Sequence, residues 1–345
     1  MHANLNTKQS PPKNSKRYIS MSFTNTFQPP PLSQDFKDFL STLPRKKIFA
    51  KEPLYCYHYQ GFWYLEGVLE AVISCQEHFQ AEDSDVFVAS TPKCGTTWLK
   101  AIAFALLNRR RHPAASGDHP LLSSNPHDLV PFLEIGLYGS SKALDIASFP
   151  SPRLLSTHMP HSSLPESIRS GSKCKILYVA RDPKDTFVSA WHFFTRVGVA
   201  DFTMAEALEQ FCEGLNSYGP FWDHFLGYWK QSLENPERVL FLKYEDMKAR
   251  PAAEVHRVAE FLGCAFSAEE EEGGEVDRIL ELCSFEGLRG LEVNMKGKLM
   301  VGHAENSIFF RRGEVGDWKN HLSPEMAERI DRIVEEKFSE SGLCL

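Results

Sequence analysis

Four short apolar runs constrain the fold of this chain more than any other feature of its sequence. They occupy residues 85–90, 153–157, 175–180 and 238–243, and most of them are almost continuously apolar. Strands that are buried on both faces of a parallel sheet have this pattern, whereas half-exposed strands alternate. Several runs are separated by helical patterns, at 97–110, 183–196 and, in pieces, 204–233. The alternation predicts an α/β fold with a central, mostly parallel sheet and helices on both faces.

The chain has 345 residues, and its composition changes only near the start. Residues 1–34 are polar, carry no acidic side chain and include three consecutive prolines, which predicts a disordered tail. A transit peptide is the alternative, because serines are interspersed with Lys8, Lys13, Lys16 and Arg17. From residue 35 onward no repeat or linker divides the sequence, so residues 35–345 are predicted to form one domain.

Bulk composition disfavours several classes of function. The net charge of −7 argues against a broad nucleic-acid-binding surface. No window approaches the roughly 20 apolar residues of a membrane span. The eight cysteines form no C-x-x-C pair and no cluster with histidines, so neither a disulfide framework nor a metal site is predicted. Free thiols and the lack of a secretory leader pattern predict a cytoplasmic protein.

The first candidate phosphate site is the sequence TPKCGTTWLK, residues 91–100, directly after the first apolar run. Gly95 would let the backbone pass close to an anion, while Thr96 and Thr97 would present hydroxyl and N–H groups at a helix start. Lys93 would add a positive charge at the rim. The loop does not follow the nucleoside-triphosphatase pattern G-x-x-x-x-G-K-[ST], which disfavours a metal-dependent kinase. The alternative is a turn whose threonines only cap a helix.

Three later positions could serve the same anion or the reaction. Arg181 follows the third apolar run, at the strand end where open α/β sheets bind ligands, and Ser189 lies two turns into the next helix. The run Arg311-Arg312-Gly313 could close over a phosphate group. For each of these the alternative is an ordinary surface ion pair or charged loop. His158 ends the second apolar run, where a histidine could act as a general base.

Six motifs in this order resemble the cytosolic sulfotransferase family, and its plant members most closely. They are PKCGTTWLKA at 92–101, STHMP around His158, YVARDPKDTFVSAWHFF at 178–194, LKYEDM at 242–247, ELCSFEGLRGLEVN at 281–294 and FRRGEVGDWKNHLSPEMAERID at 310–331. The resemblance runs from Asp35 to the C-terminus and leaves only the tail uncovered.

This resemblance implies transfer of a sulfonate group from 3′-phosphoadenosine 5′-phosphosulfate to a hydroxyl of a small organic acceptor, without a metal. It implies donor contacts in three groups: Lys93, Cys94, Gly95, Thr96 and Thr97 at the 5′-phosphosulfate; Trp98, Tyr244 and the Ser284-Phe285 segment at the adenine; and Arg181, Ser189, Arg311, Arg312 and Gly313 at the 3′-phosphate. His158 would be the catalytic base, and Lys93 would stabilise the leaving phosphate. Ser189 would hold Lys93 aside until an acceptor binds.

Three departures from the family pattern modify these expectations. Cys94 stands where serine or threonine is frequent; we expect a neutral replacement, with thiol oxidation as the alternative. Ser156 stands where many animal members have a lysine, so more of the transition-state charge would fall on Lys93 and His158. Pro324 replaces the valine of the animal dimerisation pattern, so that dimer is not predicted, and no obligate protein partner is expected.

Aromatic stretches at 60–64, 130–134 and 191–194 predict a pocket for a flat acceptor, with ordinary core packing as the alternative. Residues 286–310 would form a lid over both substrates. The expected acceptors are flavonoids, brassinosteroid-like hydroxysteroids, hydroxyjasmonates and desulfoglucosinolates, with a flavonoid or steroid alcohol favoured. The competing functions are a nucleotide-dependent phosphotransferase and a nucleotide- or small-molecule-binding protein that keeps the fold with little or no turnover.

Overall fold

The computed structural model describes residues 34–48, 54–139, 146–197, 202–300 and 304–345. The predicted tail lies outside the described residues, apart from Gln34, which begins the first helix. Four further segments of the chain fall in the gaps, among them residues 301–303 of the predicted lid.

A small antiparallel sheet precedes the main one. Its strands, in order, are β1 (Arg45–Ile48), β2 (Leu54–Tyr59) and β3 (Phe62–Leu65). β2 and β3 form a tight hairpin, whose turn residues Gln60 and Gly61 have φ angles of 52° and 87°. Positive φ at both turn positions matches the twist of paired strands. This sheet was not predicted, because β1 has the sequence Arg-Lys-Lys-Ile and exposes its first three side chains.

The central sheet confirms the four predicted strands and the fold class. In chain order they are β4 (Val86–Ala89), β5 (Leu154–Thr157), β6 (Lys175–Ala180) and β7 (Val239–Lys243). They are arranged as β5-β4-β6-β7, and every pairing is parallel. Ala89 lies opposite both Thr157 and Tyr178, and Ala180 lies opposite Lys243. Because the carboxyl ends are in register, the loops that follow the strands open at one edge of the sheet.

Helices cover both faces of the central sheet. In chain order they are α1 (Gln34–Ser41), α2 (Glu66–His78), α3 (Thr96–Asn108), α4 (Pro126–Leu129), α5 (Pro183–Arg196), α6 (Met204–Cys212), α7 (Phe221–Glu234), α8 (Tyr244–Ala249), α9 (Pro251–Leu262), α10 (Ala268–Glu272), α11 (Glu275–Leu282), α12 (Phe285–Gly290), α13 (Glu292–Lys296) and α14 (Pro324–Phe338). Within the described residues, none of them has both the length and the apolarity to cross a membrane.

Alternate residues of each central strand face opposite apolar layers. Phe87 and Ala89 of β4 pack with side chains from α2, α5, α6, α7 and α14. Val86 and Val88 of the same strand pack with side chains from α3, α9 and α11. Both layers exclude water from the strands, which accounts for the nearly continuous apolar runs in the sequence.

Candidate active site

A cavity of about 1410 Å³ opens at the carboxyl edge of the central sheet. It is lined by every site residue predicted from the sequence except Cys94, namely Lys93, Gly95, Thr96, Thr97, Trp98, His158, Arg181, Ser189, Tyr244, Arg311, Arg312 and Gly313. Most of these residues meet here because they follow β4, β5, β6 and β7, whose ends are aligned, whereas residues 311–313 come from a later loop of the chain. The fold therefore brings the three basic points and the histidine to one cavity.

The loop between β4 and α3 makes a tight turn at the floor of this cavity. Lys93 and Gly95 have φ angles of 73° and 106°, in the region that glycine adopts most easily. A Cβ at Gly95 would lie 2.7 Å from Cδ2 of Tyr244, so a side chain has no space there. The turn leads directly into the N-terminus of α3, where unpaired backbone N–H groups favour an anion.

The hydroxyl groups of the loop have protein partners. Thr96 Oγ1 lies 2.6 Å from Ser90 Oγ, and Thr97 Oγ1 lies 2.9 Å from His127 Nε2. A hydroxyl both donates and accepts, so each threonine retains one further hydrogen-bonding function for a ligand.

The thiol of Cys94 faces the core and not the cavity. Cys94 is fully buried, and its Sγ lies 2.8 Å from Thr91 Oγ1 and 3.4 Å from Thr186 Oγ1. Burial raises the pKa of the thiol. The predicted contact between Cys94 and a donor is therefore limited to its backbone, and the geometry speaks against a redox-active thiol.

Lys93 points its amine at an aromatic wall. Nζ lies 4.2 Å from the ring centre of Phe193 and 5.6 Å from that of Phe309. Burial in the cavity, together with the positive charges of Arg181 and Arg311, lowers the pKa of Lys93 to about 7. A bound anion would reverse this balance because it stabilises the ammonium form.

Arg181 and Arg311 at the cavity each have a buried N–H group that is free to bind a ligand. Arg181 donates from Nη2 to the carbonyl of Glu314 at 2.6 Å, and Arg311 donates from Nη1 to Asp317 Oδ2 at 2.6 Å. The Nε–H groups of both arginines are buried without a partner among the described residues. Buried donors are nearly always paired in folded proteins, so these two indicate an anion site.

An aromatic cluster lies beside these arginines. The rings of Trp98 and Tyr244 meet edge to face at 5.6 Å, and Tyr244 donates from its hydroxyl to the carbonyl of Gly313 at 2.9 Å. Gly313 has a φ of 68°, and a Cβ there would lie 2.5 Å from Cδ2 of Phe285. The cluster offers ring faces and edges to a planar base.

His158 is held in one orientation and in one tautomer. Its Nδ1–H donates to the carbonyl of Ser90 at 2.7 Å, which leaves Nε2 without a proton. Its backbone N–H donates to Glu134 Oε1 at 2.7 Å, and its carbonyl accepts from His224 Nε2 at 2.8 Å. Burial lowers the pKa of His158 to about 3, so the ring is neutral at physiological pH.

Sequence reasoning missed three residues of this region, Lys100, His127 and Glu134. Lys100 Nζ lies 3.0 Å from His127 Nδ1, and Glu134 accepts from Thr157 Oγ1 at 2.9 Å in addition to the His158 amide. In the sequence, Lys100 reads as the polar face of α3, and His127 stands in a short Asn-Pro-His turn. A lysine within an otherwise apolar helix segment was the available clue, since lysine is seldom buried.

Comparison with known proteins identifies the family. A family model described as a sulfotransferase domain matches residues 83–342. The chain belongs to the sulfotransferase family. It is 52% identical over 316 residues to cytosolic sulfotransferase 5 of Arabidopsis thaliana, which covers 90% of this chain and 97% of the relative. It is 50% identical to cytosolic sulfotransferase 6 of the same plant, with 90% and 95% of the two chains covered.

Solved structures of sulfotransferases have the same fold. The crystal structure of a candidate steroid sulphotransferase from Arabidopsis thaliana matches with a TM-score of 0.72 and 45% identity, covering 89% of this chain and 94% of that one. Mouse sulfotransferase SULT7A1 in complex with PAP matches with a TM-score of 0.66 and 27% identity, covering 83% and 95%.

Membership of the family confirms the predicted enzyme class and sulfonate donor. This sulfotransferase moves a sulfonate group from 3′-phosphoadenosine 5′-phosphosulfate to a small-molecule acceptor. The unpaired Nε–H groups of Arg181 and Arg311 and the side-chain-free backbone at Gly95 fit the anionic groups of that donor. Across the part of the chain that the structure describes, no group of three or more His, Cys, Asp or Glu side chains is placed to hold a metal ion.

The predicted acceptor stretches are only partly near the cavity. Residues 191–194 all line it, as do Pro131 and Phe132 from the stretch 130–134. Residues 60–64 belong instead to the β2–β3 hairpin, and Tyr64 is fully buried in the core. Both ends of the predicted lid line the cavity where described, at Leu288 and at 308–310; its movement remains a prediction.

Proposed function

We propose that His158 removes the proton of an acceptor hydroxyl as the oxygen attacks the sulfur atom of the donor. The observation that carries this role is the hydrogen bond from His158 Nδ1 to Ser90, which keeps Nε2 available as a proton acceptor. As the new S–O bond forms, the S–O bond to the donor phosphate breaks and the proton passes to Nε2. Since the pKa of His158 is about 3, the basic form is present throughout the physiological pH range.

The proposed role of Lys93 is to stabilise the charge that develops on the departing phosphate oxygen. Its amine lines the same cavity as His158, and its position over Phe193 leaves it within a largely apolar wall. A charge in such surroundings interacts with an anion more strongly than it would in water. Ser189 lines the cavity on α5, and its proposed role is to hold Lys93 aside before an acceptor binds.

The donor would lie across the cavity along the three groups of contacts expected from the family. Lys93 and residues 94–97 would hold the 5′ end, with Cys94 contributing its backbone only. Trp98, Tyr244 and Phe285 would hold the adenine. The 3′-phosphate would lie at Arg181, Ser189 and residues 311–313, where the unpaired arginine donors support this placement.

We propose a flat, oxygenated acceptor, with a flavonoid or a steroid alcohol favoured over hydroxyjasmonates and desulfoglucosinolates. The rings of Phe132 and Tyr218 flank His158, at 4.5 Å and 5.6 Å between ring centres. Trp191 Nε1 and Ser217 Oγ also line the cavity and are buried without a partner among the described residues. Unpaired polar groups in an aromatic pocket favour an acceptor with further oxygen atoms besides the reacting hydroxyl. The relatives are named cytosolic sulfotransferases, and we propose the cytosol for this enzyme too.

The test is turnover with a radiolabelled sulfonate donor against flavonoids, steroid alcohols and hydroxyjasmonates, using the wild type, His158→Ala and His78→Ala. His78 is an exposed histidine whose Nδ1 also bonds a backbone carbonyl, that of Ser74 at 2.9 Å, so it is a matched control. We expect His158→Ala to lose about 10²–10⁴-fold in turnover, while affinity for PAP, the nucleotide left when the donor has lost its sulfonate group, stays within a few-fold. Near-normal turnover would show that another group is the base. Tight PAP binding without any product would indicate a binding protein or an acceptor outside the panel.

A further inference from the structure

A fully buried lysine lies directly behind the loop that we propose to hold the 5′ end of the donor. Lys100 has 0% exposure and lies on α3, one turn after Thr97. Its Nζ lies 3.0 Å from His127 Nδ1 and 3.3 Å from the ring centre of Phe132. On the other side of the imidazole, His127 Nε2 lies 2.9 Å from Thr97 Oγ1. Lysine, imidazole and hydroxyl thus form one continuous hydrogen-bonded chain that ends at the cavity.

The imidazole in the middle of this chain is fixed in place. The backbone N–H of His127 donates to Asn125 Oδ1 at 2.9 Å, as part of the cap that begins α4. The ring stacks with Phe132 at 5.5 Å and packs against Phe309 at 4.3 Å. A fixed ring can change its hydrogen bonding only by moving a proton between its two nitrogens.

Lys100 has no carboxylate within ion-pair distance among the described residues. Lys100 and His127 interact electrostatically with four other titratable groups, namely Asp128, Glu134, His158 and Lys93. Burial lowers the pKa of Lys100 well below its usual value, and it also lowers the pKa of His127, so the imidazole is neutral. A methionine would fill the same space without the cost of desolvating an amine. Packing alone therefore does not account for a lysine here.

We propose that Lys100 is a positioning residue that directs the hydroxyl proton of Thr97 into the anion-binding loop. A protonated Lys100 can only donate, so His127 must accept at Nδ1 and carry its proton on Nε2. Nε2–H then donates to Thr97 Oγ1, and the hydroxyl proton of Thr97 is left for the anion. This inference rests on the proposed binding of the donor 5′ end at residues 93–97.

The opposite protonation gives the opposite arrangement. A neutral Lys100 can accept from Nδ1–H, in which case Nε2 accepts the hydroxyl proton of Thr97. Thr97 would then present only lone pairs to the anion, which is unfavourable. An anion in the loop therefore favours the protonated lysine, and the charge of Lys100 acts on the donor through two polarised hydrogen bonds.

The first experiment compares two nucleotides by calorimetry. PAP carries a phosphate at both the 5′ and the 3′ position, whereas adenosine 3′-monophosphate lacks the group that would contact Thr97. We expect Lys100→Met to weaken PAP roughly tenfold, as for loss of one charge-assisted hydrogen bond, and to leave adenosine 3′-monophosphate within about twofold. Equal weakening of both nucleotides, or of neither, would overturn the proposal. Wild-type protein that binds adenosine 3′-monophosphate but gains nothing from the 5′-phosphate would overturn the proposed donor site as well.

A double-mutant cycle distinguishes the proposed action of Lys100 through His127 and Thr97 from a packing defect. Thr97→Val should weaken PAP about as much as Lys100→Met, and the double variant should be no weaker than either single variant, since the chain is already interrupted. Additive losses would show that Lys100 acts independently of Thr97. Thr97→Ser, which keeps the hydroxyl, should restore most of the affinity for PAP.

A measurement on the wild type covers the case in which Lys100→Met does not fold. Nitrogen-15 shifts of the His127 ring distinguish the protonated from the unprotonated nitrogen. With PAP bound, we expect the proton on Nε2 and none on Nδ1. The reverse tautomer, or a doubly protonated ring, would refute the proposal.

Discussion

The low pKa of Lys93 predicts that donor-site affinity falls as the pH rises through neutrality. Burial and two neighbouring arginines place the pKa of Lys93 at about 7 in the ligand-free enzyme. A phosphate beside the amine raises that pKa, so binding takes up a proton wherever Lys93 was neutral beforehand. The affinity for PAP is therefore highest at pH values below the pKa of Lys93 in the ligand-free enzyme. It decreases as the pH rises above that pKa. From about pH 7 to about pH 9 the loss is roughly 50-fold, if the pKa in the complex exceeds 9.

Calorimetric titration with PAP across this range measures the effect directly. The phosphates of PAP have a second pKa near 6 and are mostly dianionic from about pH 7 upward, and His158 stays neutral throughout, so neither accounts for the slope. Lys93→Arg is the control, because an arginine remains protonated. We expect any slope that this variant retains to come from Lys100, so the double variant Lys93→Arg, Lys100→Met should have none.

Two results would refute this reasoning. Wild-type affinity that is flat from about pH 7 to about pH 9 would mean that the protonation of Lys93 does not change when PAP binds. A slope that is unchanged in both Lys93→Arg and the double variant would mean that another group takes up the proton. In either case the charge on Lys93 would not be linked to occupancy of the site.

Two further predictions concern the same loop. Gly95→Ala should destabilise the enzyme by about 2–5 kcal/mol in urea unfolding, against about 1–2 kcal/mol for Gly61→Ala. Both glycines have positive φ, but only the Cβ at position 95 meets another residue, Tyr244, so equal losses would mean that the ring moves aside freely. Cys94 should resist alkylation by iodoacetamide in the folded enzyme while the exposed Cys344 reacts, as peptide mass spectrometry would show; rapid modification of Cys94 would contradict its burial.

The central sheet was predictable because each of its strands can be recognised from its own residues. A strand with both faces buried must be apolar along its length, and the start of α5 is fixed by Asp182, whose side chain accepts from the N–H groups of Lys184 and Asp185. The β1–β2–β3 sheet was not predictable, because its first strand is polar and exposed. Its hairpin depends on positive φ at Gln60, a residue without a recognised turn preference.

Most residues that line the cavity were predictable from the sequence. The residues that lie behind them were not. Glycines, arginines and a strand-terminal histidine are recognisable because open α/β sheets bind ligands at strand ends. The direction of the Cys94 side chain depends on the backbone angles of the turn, which the sequence does not state. Lys100 and His127 are 27 positions apart and become partners only through the packing of α4 against α3.

The position of Lys100 also bears on the absence of a lysine at residue 156. Ser156 is fully buried, donates from Oγ to the carbonyl of Val130 at 3.2 Å and donates from its backbone N–H to Pro131 at 2.9 Å, so it joins β5 to the loop that carries Phe132. The centre of the Phe132 ring lies 3.3 Å from Lys100 Nζ and 4.5 Å from the centre of the His158 ring. A cation on β5, two residues before His158, would act directly on the base and depress its pKa further. The charge of Lys100 on α3 also lowers the pKa of His158, but under our proposal it would in addition reach the donor through His127 and Thr97, so that positive charge would assist the leaving group while His158 stays neutral and able to accept a proton.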